Sequence, residues 1–193
     1  MTDLLLIFFG ACLVNNLVLD HLLAVDPAVA MADKIGAAVD LGLAIIVFAP
    51  VSAVLGHLFS VYILVPLQLE YLQLPALILV IVAGVTLAAA LMQRISPRVH
   101  YRIRDLIPLL SVNCALLGIV LLELAKNDSL IAGFAFGLGT GAGVFLVVVA
   151  FAALQERLAA TDVPQPFQGV AILLVTLGLF SMAFMGLAGI GTA

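Results

Sequence analysis

Few residues in this chain could do chemistry, and they fall in a small number of places. Asn113 and Cys114 form a polar pair inside an apolar run, and Asn15 and Asn16 form another. Asp20 and His21 follow a turn after the second pair, Asp26 precedes Pro27, and Asp40 and His57 stand in the next apolar stretch. Carboxylates, imidazoles, amides and thiols set in hydrocarbon can hold a cation or proton, loosen a helix or ligate a metal. The only cysteines, Cys12 and Cys114, both lie within apolar runs. That placement argues against a disulfide framework and leaves buried thiols or metal ligands. By composition alone each reads as an inert, protonated, small hydrophobe. No residue is singled out as catalytic.

The elements that must position these residues are membrane spans. Hydrophobic residues make up 65% of the 193 positions and charged residues 9%, with a mean hydropathy of +1.35. Such a chain has too little polar surface for a soluble globule. It reads as an all-α integral membrane protein, a single membrane domain over residues 1–193 with lipid around it and no nucleic-acid partner. Six apolar stretches, roughly 4–25, 36–63, 72–92, 105–124, 129–155 and 168–190, are each near the ~20 residues a crossing needs. The first has no polar, small-residue cleavage region after it and is read as a span, not a signal peptide.

Basic residues orient the spans. Lys34, Arg94, Arg98, Arg102, Arg104 and Arg157 fall in the first, third and fifth loops, which share one face, and Lys126 alone falls on the other. Six against one places the odd loops in the cytoplasm and both termini on the outer, periplasmic face of the inner membrane. The Arg94 to Arg104 loop could also be a docking patch for an acidic soluble partner.

Two landmarks of the first half recur 98 positions later: Val14-Asn15 at Val112-Asn113, and Val65-Pro66 at Val163-Pro164. The chain thus reads as two three-span repeats, about 1–97 and 98–193. An odd number of spans inverts the second copy, an arrangement that sets functional sites on broken helices near the midplane. Asn15 and Asn16 could break the first helix or glue it to a neighbour. Asp20 and His21 could relay protons or ions, or form an interfacial pair, and Asp40 and His57 carry the same ambiguity. Glycines 137, 139, 141 and 143 suit close helix packing and not a phosphate loop, since no strand precedes them and no Lys follows. Counted along a straight helix from Asp105, Cys114 lies roughly 14 Å deep, mid-way through a ~30 Å core.

Several longer stretches make a resemblance specific: Leu13-Val14-Asn15-Asn16, Val65-Pro66-Leu67-Gln68-Leu69-Glu70-Tyr71-Leu72, Val112-Asn113-Cys114-Ala115, Asp162 to Gly169, and Ala183-Phe184-Met185-Gly186. End to end, the chain resembles the RnfA family of Rnf electron-transport complexes, which also includes the NqrE component of the sodium-pumping NADH:quinone oxidoreductase. The resemblance implies six helices in two inverted repeats, paired with a homologous, RnfE-type subunit of opposite topology, among the other Rnf subunits. It also implies an intramembrane [2Fe-2S] cluster shared with that partner, two cysteines coming from each side.

One departure matters. The family's second ligand cysteine matches Cys114, but its first sits where this chain has Asp26. Either Asp26 is an oxygen ligand, or another residue substitutes, or the cluster is lost; a retained cluster is the expectation. On one straight helix from Leu4, Asp26 would lie ~33 Å along, so it meets Cys114 only if the first helix breaks. The function implied is electron transfer between NADH and ferredoxin or flavodoxin, coupled to Na+ or H+ movement, with this chain carrying electrons and not binding NADH. The reading from another class is a small inverted-repeat transporter or channel without a redox centre, using Asn15, Asn113, Asp20 and Asp26. A third is a scaffold that only holds redox subunits in place.

Overall fold

The computed structural model describes residues 7–14, 35–96, 101–126, 129–159, 161 and 169–188, and every regular element among them is helical. A π turn, Gly10–Val14, closes the first described stretch. Helix α1 is Ile35–Phe59 and runs on through a second π turn, Ser60–Leu64. The chain then reverses at 65–68, where Gln68 takes a φ of 53° and donates its N–H to the Val65 carbonyl at 3.1 Å. A 3-10 turn, Glu70–Leu72, leads into α2, Gln73–Ile95. After the 3-10 turn Arg104–Leu106 come α3, Ile107–Ser111, and α4, Cys114–Lys126. Helices α5, Leu130–Ala159, and α6, Val170–Ala188, complete the order.

Three of these elements are long and apolar enough to cross a membrane: Ile35–Leu64, Gln73–Ile95 and Leu130–Leu158. They coincide with the second, third and fifth expected spans to within a few residues. The expected fourth span is not one straight helix. Tyr101–Ser111 and Cys114–Lys126 together are long enough to cross, but they meet at an angle of 63°. The straight-line depth count from Asp105 to Cys114 is therefore replaced by a bent path. Within α6, the apolar stretch Ala171–Phe184 is shorter than a full crossing. Of the first expected span only residues 7–14 are described, and both termini lie outside the described residues.

The core forms where α1, α4 and α5 meet, around the fully buried Phe48, Phe151, Leu116 and Ile119. Small residues let α1 and α5 come close. A Cβ at Gly137 would lie 2.7 Å from the Pro50 Cα, and one at Gly141 would lie 3.1 Å from the Ile46 Cα. The backbones could not approach so nearly with larger residues, which is the packing role that stripe of glycines suggests in the sequence. Gly139 does the same for the N-terminal segment, facing the Phe8 backbone. Helix α2 lies at the edge, with Leu74, Ile78, Leu79, Leu87 and Leu91 exposed, a surface suited to lipid or to a partner in a complex.

Three hydroxyls within the helices are satisfied by their own helix backbone. Ser111, Thr140 and Thr176 donate to the carbonyls four residues back, of Ile107, Phe136 and Ile172, at 2.7 to 2.8 Å. No water is available in hydrocarbon to take those bonds, so the backbone does.

Candidate functional sites on the broken helix

The break falls at Val112 and Asn113, and side chains on either side of it explain why. Ser111 back-bonds to the Ile107 carbonyl, which closes α3. Asn113 then serves as the cap of α4: its Oδ1 accepts the Ala115 N–H at 2.8 Å, and its carbonyl accepts the Leu117 N–H at 3.4 Å. An Asn in that position satisfies one of the donors a helix start leaves unpaired. Its Nδ2 is buried and has no hydrogen-bond partner among the described residues.

Cys114 is therefore the first residue of α4. It is half-buried and lines a cavity of about 160 Å³ together with Ile78, Ile81, Ser111, Val112, Asn113 and Leu117. Val112 is 78% exposed and Ile78 is exposed beside it, so this cavity looks away from the core. Negative charge placed at Cys114 is stabilised by the amide ends of α4.

A thiolate-ligated cluster is anionic, and three features here suit one: the sulfur at a helix start, the spare Asn113 donor, and an opening away from the core. Among the described residues no group of three or more His, Cys, Asp or Glu is placed to hold a metal. Cys12 lies in the π turn Gly10–Val14, and neither cysteine is in a disulfide. Asn15, Asn16, Asp20, His21 and Asp26 all lie outside the described residues.

A second polar constellation occupies the other end of α4. The Nδ1 of His57, on α1, stands 2.8 Å from Oε1 of Glu123, on α4. Glu123 is 1% exposed and the His57 side chain 15%. Helix α5 makes room for the carboxylate, because a Cβ at Gly133 would lie 2.5 Å from that same oxygen. His57 also lines a cavity of about 180 Å³ with Ser60, Val61, Leu64, Val65, Gln73 and Leu124, and Glu123 does not. From the sequence His57 shares its span with Asp40, and nothing in that span points to Glu123. Glu123 is easily passed over, since it sits at the end of its apolar stretch where a loop residue is ordinary.

Asp40 has a plainer role. Its Oδ1 is 2.9 Å from Arg102 Nη2, which is largely exposed, and the pair ties the start of α1 to the segment before α3. On the opposite side, Lys126 lies over the Phe136 ring, 4.3 Å from its centroid.

The family described as "Rnf-Nqr subunit, membrane protein" matches residues 4–191. A curated relative from Pseudoalteromonas translucida (strain TAC 125) is 40% identical over 190 residues, 98% of each chain. Relatives from Aliivibrio salmonicida (strain LFI1238) and Vibrio atlanticus (strain LGP32) are each 38% identical over 190 residues. They cover 98% of this chain and 98% and 99% of their own. All three are named as the A component of an "Ion-translocating oxidoreductase complex".

Proposed function

We propose, from the premise that the chain belongs to the Rnf-Nqr family of membrane subunits, that it works as the A-type component of an ion-translocating oxidoreductase complex. It crosses the inner membrane six times as two inverted repeats, with both termini outside, and pairs with a homologous subunit of opposite topology. A reporter fused after Ala193 should then report the outer face; a cytoplasmic signal would overturn the arrangement.

The observation that carries the redox part of this reading is the break at Val112 and Asn113, which puts Cys114 at a helix start beside an outward-looking cavity. Cys114 would hold one edge of a [2Fe-2S] cluster shared with the homologous partner, and Asp26 would be this chain's second ligand. Bound there, the cluster supplies a one-electron relay part-way across the bilayer. What this chain's residues do is hold and tune that relay. The α4 amides stabilise negative charge at the Cys114 sulfur, and the Asn113 Nδ2 is a donor available to it. Apolar neighbours Ile78, Ile81 and Leu117 keep the surroundings dry. Donors and acceptors of electrons, NADH and ferredoxin or flavodoxin, bind other subunits, and the ion moved is Na+ or H+.

Iron content and visible absorbance of the purified complex test this directly. Iron retained in the pair formed by this chain and its homologous partner supports the redox reading. A pair that moves ions without iron is instead a transporter with no redox centre. Asp26→Cys should change the spectrum of an oxygen-ligated cluster, because thiolate donates more covalently to iron than carboxylate. Asp26→Asn, which removes charge at nearly constant shape, separates ligation from a nearby charge. Parent spectra in both variants would remove Asp26 from the ligand set.

A further inference from the structure

A carboxylate and an imidazole inside hydrocarbon are costly, and at the end of α4 they are arranged around water access and not only around each other. Glu123 is sealed in the core, whereas His57 touches both Glu123 and a cavity with room for several waters. Ser60 and Gln73 supply polar groups to that cavity. It lies at the end of α1 and the start of α2, where Tyr62 and Tyr71 are 71% and 77% exposed, as aromatics at a membrane interface are. This is the end remote from Asp40 and Arg102, hence the face opposite the basic loops.

We propose that the His57–Glu123 pair is a proton-binding site, with His57 passing protons between Glu123 and water entering from the face opposite the basic loops. Its place in transport rests on the ion-translocating reading above; proton exchange at the pair does not. The step is balanced within the pair. His57 takes a proton at Nε2 from cavity water and releases the Nδ1 proton to Glu123 Oε1, which leaves the imidazole neutral in its other tautomer. A proton fits better than Na+, because Na+ prefers an all-oxygen shell and an imidazole nitrogen already occupies hydrogen-bond distance from the carboxylate.

Among the described residues, the other charges on the elements around the pair are these. On α4, Lys126 is one turn beyond Glu123 and is held over Phe136. On α1, Asp40 is at the far end and paired with Arg102. Helix α5 faces the pair with Gly133, and its Glu156 and Arg157 lie at its opposite end. Helix α2 contributes Gln73, preceded by Glu70 in its 3-10 turn, and carries Arg94 in its last turn.

A hydrophobic carbodiimide tests the proposal in the intact complex, because it modifies a protonated carboxyl and not a carboxylate. Modification of the Glu123 peptide, read by mass spectrometry, should occur and be several-fold faster in acid than in alkaline buffer. Labelling that is absent, or equal at the two pH values, overturns the proposal whether or not the complex moves ions. In vesicles driven by the complex's electron donor, Glu123→Gln and His57→Gln should each cut proton movement per electron by roughly tenfold, with electron transfer retained. Unchanged proton movement in both variants, or loss of Na+ movement alone, also overturns it. Parent vesicles that move no ion would remove the ion-translocating reading, while labelling of the parent, which needs no variant to fold, still decides on the pair.

Discussion

At its first residue α4 presents Cys114 to a cavity that looks out of the protein, and in its last turns it presents Glu123 inward to His57. Nine residues separate the two, about 14 Å along the helix. Negative charge is favoured at the first end by the helix amides and disfavoured at the second by the helix carbonyls. Cys114 therefore suits an anionic ligand role with little help, whereas Glu123 needs a cation or a proton beside it, and His57 supplies either. One rigid element thus joins a site suited to electrons with a site suited to protons.

The sharpest way to break the second end is His57→Leu. It removes a close hydrogen-bond partner of a carboxylate that is almost wholly buried, so the protein should lose about 3 kcal/mol of stability, measured by thermal inactivation of the complex in detergent. His57→Gln keeps a hydrogen-bonding side chain and should cost clearly less. Gly133→Ala is next: its methyl would press on Glu123 Oε1 and move it from His57, costing about 1 to 3 kcal/mol by the same assay.

The membrane class and three long spans were readable from composition and run length, because hydrophobic thickness sets helix length. The fourth span was not readable as bent. Its hydropathy is continuous, and the bend comes from a local competition in which Ser111 and Asn113 side chains take backbone bonds that a straight helix would keep. Cys114 stood out through a resemblance and not through its own chemistry, since a lone thiol among Leu and Val looks inert. The His57–Glu123 pair was illegible for a different reason. Its members are 66 positions apart and meet only because α1 crosses α4 at that height, a relation that periodicity within either helix does not contain.

The first end is more forgiving. Asn113→Ala removes the cap of α4 but also removes a buried amide donor, so a loss of about 1 kcal/mol is expected, visible as faster hydrogen exchange at Ala115. Asn113→Asp keeps the cap and adds negative charge beside Cys114, which should lower the midpoint potential of a centre bound there. The smallest effect belongs to Arg102→Ala, outside both ends. Its partly exposed ion pair with Asp40 is worth at most about 1 kcal/mol, and thermal inactivation should barely move.

The central claim is that the start of α4 is a redox ligand site, and Cys114→Ser tests it most directly. Serine keeps the size and replaces a soft ligand with a poor one. Iron content and the EPR signal of the reduced complex, measured beside the parent at matched assembly, should both fall sharply while the helices persist by circular dichroism. Unchanged iron and an unchanged EPR signal in a folded Cys114→Ser complex would contradict the account and return Cys114 to the class of inert buried thiols.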